Sequence, residues 1–317
     1  MSQSIKIAFT DFWHGNSPAE VVANPLYQML SQYYDLELSN TPDFLIYSCF
    51  GHKYLKYDCT RIFFTGENVR PNFNHCDYAF SFDYPVTDRN YRLPLYYMYE
   101  YFDQLRNKTR NVPDPSTRKF CNFVYSNRKA RERIEFYKLL TRYKPVDSGG
   151  KVMNNVGGRV GDKLEFLRKY KFTITFENSS HPGYTTEKIM EALIADTIPI
   201  YWGNPLVYRD FNPDCFINCH DFDSFDEVIS YVEKVDNDDE LYRRYLSAPA
   251  FINGVDNEFV NEENVKRQFD KIFAGASKSQ VAGRYDFLKY CLHPSRPEDY
   301  ARSLVRRWRA HKRARNQ

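Results

Sequence analysis

The segment from residue 172 to residue 203 constrains the fold more than any other part of this 317-residue chain. Its first part, residues 172–176, alternates apolar and polar side chains, which predicts a buried strand. After a Pro-Gly turn, apolar side chains recur at helical spacing over residues 187–195, and residues 197–201 return to a strand-like pattern. A strand, a helix and a second strand in this order predict a β-α-β unit with two parallel strands.

Polar side chains cluster where the first strand ends and the helix begins. Glu177 and Asn178 follow the strand directly, at the sheet edge where ligands bind in open α/β sheets. Tyr184, Glu187 and Lys188 stand at the start of the helix. Free amide N–H groups and the positive end of the helix dipole favour a phosphate there, and the lysine adds a full charge. The cluster predicts a nucleotide-sugar pocket, although each residue taken alone is also an ordinary cap or turn residue.

Seven short motifs follow one another in this chain: FTGEN at 64–68, RPNFN at 70–74, DYAF at 77–80, RLPLYY at 92–97, FENS at 176–179, YTTEK at 184–188 and PIYWG at 199–203. In order and spacing they resemble the α1,3/α1,4-fucosyltransferases, and the bacterial members in particular. The resemblance implies a GT-B type fold, with two Rossmann-like domains facing across a cleft. It also implies inverting transfer of L-fucose from GDP-β-L-fucose to the 3-hydroxyl of N-acetylglucosamine in lactosamine-type glycans, giving a Lewis x type product.

The remaining patterns predict an α/β chain with alternating strands and helices. In the amino-terminal part they predict a strand over 5–10, a helix over 18–34, and short strands over 44–48, 61–65 and 78–82. In the second part they predict a strand over 120–125 and helices over 130–143 and about 162–169. A polar segment with two prolines, residues 107–118, predicts a linker between the two parts.

These elements divide the chain into three predicted regions. Residues 1–115 form an acceptor-binding Rossmann-like domain, residues 116–275 a GDP-fucose-binding Rossmann-like domain, and residues 276–317 a helical segment with a basic tail. The acceptor site is expected in amino-domain loops, roughly residues 12–20, 49–56 and 66–100.

Inverting transfer needs a base for the acceptor hydroxyl. Glu67 is the predicted base, because it follows an amino-domain strand in a loop that could face the donor, and the resemblance points to the same residue. Asp83 and Asp88 are the alternatives. The second predicted catalytic carboxylate is Glu187, which would hold fucose hydroxyls or balance the positive charge that develops on the sugar ring.

The leaving diphosphate needs positive charge, for which Lys188 and Arg133 are predicted. Arg133 rests on the resemblance, and Arg128, Lys129 and Arg131 crowd the same helix start, so the role could belong to one of them. The resemblance also places Ser126, Asn127, Asn178 and Tyr184 at the donor. No metal is predicted, because lysine, arginine and helix amides can neutralise a diphosphate without one.

Composition and local sequence patterns indicate the expected cellular location and the state of the cysteines. No apolar run approaches the roughly 20 residues of a membrane span, and the first residues lack a signal-peptide pattern, so a cytoplasmic protein is expected. Seven cysteines, an odd number, fit reduced thiols better than a disulfide framework. Cys215, Cys219 and His220 offer too few donors for a structural metal site. The aromatic content of 17% suits sugar rings but also fills cores.

The basic stretch from Arg302 to Arg315 predicts an amphipathic helix, with Leu304 and Trp308 on one face. It could dock on anionic lipid at the inner face of a bacterial cytoplasmic membrane, near precursors of lipopolysaccharide, or pack back on the amino domain. No nucleic-acid partner is expected. Two other hypotheses remain open: the same fold with α1,4 linkage or another nucleotide-sugar donor, and a non-catalytic nucleotide- or sugar-binding protein.

Overall fold

The computed structural model describes residues 4–13, 15–99, 101–275, 277–283, 286 and 289–290. The strands are β1 (Ile5–Thr10), β2 (Leu36–Leu38), β3 (Phe44–Tyr47), β4 (Thr60–Phe64), β5 (Tyr78–Ser81), β6 (Asn90–Arg92), β7 (Lys119–Phe123), β8 (Val146–Ser148), β9 (Tyr170–Phe176), β10 (Ile198–Trp202) and β11 (Ile217–Asn218). The helices are α1 (Pro18–Val22), α2 (Pro25–Ser31), α3 (Tyr101–Arg106), α4 (Arg131–Tyr143), α5 (Lys163–Leu167), α6 (Glu187–Ile194), α7 (Phe225–Asn237), α8 (Asp239–Ser247) and α9 (Glu262–Phe273).

The predicted β-α-β unit is present as β9, α6 and β10. The two strands are parallel and in register, with Ile174 opposite Ile200. They lie in the middle of a five-stranded sheet of order β11-β10-β9-β7-β8. All seven residues of β9 are buried, since the strand is covered on both faces and flanked by strands on both edges.

Helices cover both faces of this sheet, as expected for a doubly wound fold. On one face, Phe172, Ile174 and Phe176 of β9 pack in a core with apolar residues of α4 and α7. On the other face, α6 and α3 contribute a second core that includes Ile189 and Leu193. The loops after β7 and β9 therefore emerge together at the carboxyl edge of the sheet, which is where polar side chains collect.

The other sheet has the strand order β2-β1-β3-β4-β5-β6. Strand β1 pairs in parallel with β2 and β3, and β3 pairs in parallel with β4. Among the described residues, one compact unit comprises residues up to 64, 71–79 and those from 271 onward. A second comprises residues 65–70 and 80–270. The predicted α/β class is confirmed.

The predicted helix over 18–34 is wrong, because the chain forms two short helices there. Pro25 has no amide hydrogen and forces the preceding residue out of helical geometry. Asn24 accordingly has φ −71° and ψ 126°, and its side chain caps α2 by accepting from the amide of Leu26 at 2.9 Å. The first helix therefore ends at Val22.

Other predictions stay open. The predicted domain boundary at residue 115 separates the strands of the two sheets. The second compact unit, however, groups residues 80–115 with the five-stranded sheet. The predicted basic helix over 302–315 lies outside the described residues. In the described part of the chain, none of the helices is long and apolar enough to span a membrane. Within the described residues, the thiols of Cys59, Cys121, Cys215 and Cys219 form no disulfide.

Candidate active site

A pocket of about 290 Å³ opens at the carboxyl edge of the five-stranded sheet, within the second compact unit. All of the predicted catalytic and donor-binding residues line it, namely Glu67, Ser126, Asn127, Arg133, Asn178, Tyr184, Glu187 and Lys188. The structure thus brings together side chains, such as those of Glu67 and Lys188, that are more than a hundred residues apart in the sequence. The alternative bases, Asp83 and Asp88, are not among its lining residues.

Arg133 is the arginine that α4 directs into this pocket. It is buried, whereas Arg128, Lys129 and Arg131 are exposed, and of these four residues only Arg133 lines the pocket. Its Nη2 donates to the carbonyl of Phe176 at 2.6 Å and to Oδ1 of Asn178 at 3.0 Å. Its Nε is buried and donates to no acceptor in the described structure. A buried N–H without an acceptor is costly, and a ligand oxygen would remove that cost.

Glu177 fixes the start of α6, a role that the sequence did not predict. Its Oε1 accepts from the backbone N–H of Thr186 at 2.8 Å, and its Oε2 accepts from Lys188 Nζ at 2.8 Å. The Thr186 side chain does not cap the helix itself. A Cβ on Gly203 would lie 2.5 Å from Cγ of Glu177, so only glycine permits this approach. The sequence predicts a phosphate at this helix start, but the Glu177 carboxylate already binds one of the amides there and the ammonium of Lys188.

Lys188 and Glu187 are both ionised in this environment. Burial lowers the pKa of Lys188, but Glu177 and Glu187 raise it well above its ordinary value. Burial raises the pKa of Glu187, while Lys188 and Lys163 bring it below its ordinary value. Nζ of Lys188 lies 3.5 Å from the Glu187 carboxylate. The pocket therefore presents a fixed ammonium beside a fixed carboxylate, which suits a substrate that carries a phosphate and hydroxyl groups.

Glu67 lies on the loop after β4 and is exposed. Its backbone N–H and C=O both hydrogen-bond the Thr65 hydroxyl, at 3.1 Å each. Within the described residues its carboxylate accepts no hydrogen bond and forms no ion pair. After Glu67 the loop is tied down by a hydrogen bond from Asn68 to Ser179 and by an ion pair of 2.7 Å between Arg70 and Asp83. A carboxylate on an anchored loop, with no protein partner of its own in the described structure, is open to a substrate hydroxyl.

Tyr184 is buried at the other side of the pocket. Its ring packs edge-on against Phe82, with 5.1 Å between centroids. The preceding Gly183 has φ 87°, and a Cβ there would lie 2.3 Å from the carbonyl oxygen of Phe82. Burial is the main cause that raises the pKa of the Tyr184 phenol, which therefore stays protonated and can donate to a ligand oxygen.

Sequence reasoning missed several lining residues, including Tyr99, Tyr125 and Lys163. Tyr125 lies immediately beside the predicted Ser126 and stacks on the guanidinium of Arg133, with 3.7 Å to the ring centroid. Lys163 opens α5, in a glycine-rich stretch without a recognisable motif. Its position could have been suspected only from the predicted helix around 162–169, which begins at the same sheet edge.

Sequence comparisons match two family models. Residues 7–99 match the alpha-(1,3)-fucosyltransferase FucT N-terminal domain, and residues 114–274 match the C-terminal domain of glycosyltransferase family 10 (fucosyltransferase). The chain is 36% identical over 316 residues to an alpha-(1,3)-fucosyltransferase FucT of Helicobacter pylori, covering 85% of this chain and 64% of that protein. It is 30% identical over 234 residues to a putative fucosyltransferase of Acanthamoeba polyphaga mimivirus, covering 68% of this chain and 38% of the relative. The chain thus spans less than two thirds of either relative.

Structural comparisons agree. A crystal structure of an alpha1,3-fucosyltransferase with GDP has a TM-score of 0.76 and 32% identity, covering 86% of this chain and 91% of that one. Another, with GDP-fucose, has a TM-score of 0.75 and 31% identity, covering 87% and 92%. An alpha-glucosyltransferase in complex with UDP, at 12% identity and a TM-score of 0.51, covering 86% and 100%, is similar in fold alone. The predicted GT-B type α/β fold is confirmed.

Proposed function

Because this chain belongs to glycosyltransferase family 10, the fucosyltransferases, we propose that it is an α1,3-fucosyltransferase that uses GDP-β-L-fucose. The acceptor is the 3-hydroxyl of N-acetylglucosamine in lactosamine-type glycans, and the product is of the Lewis x type. One observation carries the proposal: the carboxylate predicted to act on the acceptor hydroxyl lines the same pocket as the arginine and the lysine predicted for the diphosphate. The similar crystal structures of an alpha1,3-fucosyltransferase with GDP and with GDP-fucose support the choice of donor.

The reaction is a single displacement with inversion. Glu67 accepts the proton of the acceptor hydroxyl, whose oxygen forms a bond to the anomeric carbon of fucose. The bond from that carbon to the diphosphate oxygen breaks, and GDP leaves with the bonding electron pair. A β-linked donor thereby gives an α-linked product. The hydroxyl is a poor nucleophile until its proton is removed, which is why the unpaired carboxylate of Glu67 is central to the proposal.

Charge develops on both sides of the breaking bond. The diphosphate becomes more negative, and Lys188 with Arg133 balances it, since both are held in place before the substrate arrives. The sugar ring becomes more positive, and the carboxylate of Glu187 offsets that charge or holds fucose hydroxyls. Asn178, Tyr184, Ser126 and Asn127 supply hydrogen-bonding groups around the donor. In this scheme, side chains provide the positive charge that a metal ion provides in other transferases.

The acceptor is proposed to contact the first compact unit through Trp13 and Phe50. These rings are 54% and 47% exposed and meet edge-to-face at 5.8 Å between centroids, in loops that follow β1 and β3. Asp11 holds the loops together: it adopts φ 60°, and its carboxylate accepts from the amides of Lys53 and Tyr54 at 3.1 and 2.9 Å. A strained residue that rigidifies exposed aromatic rings is typical of a binding surface, and such rings suit the apolar faces of sugars.

The test is an assay with GDP-fucose and N-acetyllactosamine in which GDP release, product mass and linkage by NMR are all measured. A type 1 acceptor and other nucleotide sugars are run in parallel. An α1,3-linked fucose on N-acetylglucosamine supports the proposal. Transfer with α1,4 linkage, or from another donor, would replace it with the first alternative. Tight GDP binding without transfer to any acceptor would indicate the non-catalytic alternative. Location at the cytoplasmic membrane face is likewise a proposal, which fractionation of cells expressing the full chain tests.

A further inference from the structure

Donor binding, on which this inference rests, brings a multiply charged diphosphate into a pocket that already holds several carboxylates. Glu67 and Glu187 line the pocket, and Glu177 lies directly behind it. The ammonium of Lys188 is only 2.8 Å from Glu177 and 3.5 Å from Glu187, so its charge is shared between two acids before any ligand binds. Arg133 alone then faces the diphosphate without a carboxylate partner. A further cation would add to the positive charge that Lys188 and Arg133 bring to the diphosphate.

Lys163 is the remaining cation among the described residues that line the pocket. It is the first residue of α5, and its ammonium forms an ion pair with Glu191 of α6. Its side chain is 36% exposed, whereas that of Lys188 is 13% exposed. Lys163 is therefore the more accessible of the two lysines, and its long flexible stem allows the ammonium to change partners.

The carboxylates around Lys163 show that its charge already acts inside the pocket. Glu187 and Glu191 are one turn apart on α6 and so lie on the same face of the helix. Lys163 lowers the pKa of Glu187 as well as pairing with Glu191. Burial is the main cause that raises the pKa of Glu191, while Lys163 lowers it. Lys163 therefore acts on two carboxylates of α6, one of which lines the pocket.

We propose that Lys163 is a third cation for the donor diphosphate. In the absence of nucleotide its ammonium pairs with Glu191, and with GDP-fucose or GDP bound it donates to a phosphate oxygen. Lys188 then contributes positive charge from α6, Arg133 from α4 and Lys163 from α5. The nucleotide would be held by three separate elements of the sheet edge.

The test measures GDP binding by calorimetry for the wild type and for Lys163→Met, with guanosine measured in competition. Losing a charge-assisted hydrogen bond is expected to weaken GDP binding about tenfold or more. Guanosine, which has no phosphate, should bind equally to both proteins. The matched control is Lys119→Met, which removes a lysine from an exposed ion pair with Asp147 at the opposite end of β7. Equal GDP affinity in Lys163→Met and wild type would overturn the proposal, as would equal weakening of GDP and guanosine.

The double variant Lys163→Met/Glu191→Gln separates the ligand role from a structural one. If Lys163 only neutralises Glu191, removing both charges restores GDP affinity, and the proposal fails. If Lys163 binds phosphate, the double variant stays weak, and Lys163→Arg recovers most of the affinity. A wild-type protein that does not bind GDP at all would instead contradict the proposed function, so the two failures are distinguishable.

Discussion

The guanidinium of Arg92 donates two hydrogen bonds to the carboxylate of Asp210, at 2.8 and 2.7 Å, and neither side chain is exposed. The same pair holds the loop that carries Tyr184 from both sides. Arg92 also donates to the carbonyl of Gly183 at 3.0 Å, and Asp210 accepts from the Thr185 hydroxyl at 2.7 Å. A buried ion pair therefore fixes the residues before and after Tyr184, which lines the pocket.

Replacing Asp210 by asparagine leaves the buried Arg92 without its counter-charge. We expect a loss of roughly 3–5 kcal/mol in the free energy of unfolding, because a buried charge without a partner is strongly destabilising. Urea unfolding of the wild type and the variant measures this difference in free energy. The control is Glu165→Gln, which breaks the exposed pair with Arg168 and should cost at most about 1 kcal/mol. Similar small losses in both variants would show that the Arg92–Asp210 pair does not anchor the loop.

Glu67→Gln keeps the shape of the predicted base but removes its ability to take a proton. We expect kcat to fall by a factor of about 100 or more, with GDP affinity unchanged, because proton transfer affects the chemical step and not nucleotide binding. Single-turnover kinetics and calorimetry measure the two quantities. Asp83→Asn is the comparison, since Asp83 was the alternative base. If Asp83→Asn loses turnover while Glu67→Gln retains it, the role of the base belongs to Asp83 and not to Glu67.

The sequence predicted the β-α-β unit because its pattern is local: strand alternation, a Pro-Gly turn and helical spacing all fall within residues 172–203. The predicted pocket residues followed from motif positions and the resemblance, whereas Tyr99, Tyr125 and Lys163 were missed because they belong to no recognised motif. The Arg92–Asp210 pair could not be predicted, since its members are 118 residues apart and their pairing depends on tertiary packing. The capping role of Glu177 was equally hidden, because it depends on how closely Gly203 approaches the strand end.

Trp13→Ala tests the proposed acceptor surface. Losing one aromatic packing partner is expected to raise the KM for N-acetyllactosamine roughly three- to tenfold while leaving the KM for GDP-fucose unchanged. Trp13→Phe should recover most of the loss. Tyr208→Ala, at another exposed aromatic residue (46% exposed), is the control and should change neither value. A parallel rise in both KM values for Trp13→Ala would point to a general structural defect instead.

Activity is expected to survive removal of divalent metal, because Lys188 and Arg133 are proposed to supply the positive charge for the diphosphate. Turnover of GDP-fucose is measured after exhaustive dialysis against a chelator, with and without added Mg²⁺ or Mn²⁺. Unchanged rates within a factor of about two agree with charge supplied by side chains. A reversible loss of turnover, restored by one of the metals, would contradict it.

Asp286 should make the stability of the protein depend on acid pH. Burial raises its pKa, but hydrogen bonds from Lys289, the Gly283 amide and Arg61 bring it from 3.8 down to about 2. A carboxylate whose pKa is lowered on folding stabilises the folded state at pH values above its pKa in the unfolded chain. This stabilisation is lost as the pH falls from 3.8 towards 2.

Asp286→Asn should therefore cost roughly 2 kcal/mol at pH 7 and about half of that near pH 3. Urea unfolding of the wild type and the variant at pH 7, 4 and 3 measures the difference. Asp103→Asn provides the control, because its ion pair with Arg106 is long at 3.6 Å and Asp103 is 81% exposed. A difference for Asp286→Asn that stays constant over this range would show that the Arg61 and Lys289 contacts do not depend on the charge of Asp286.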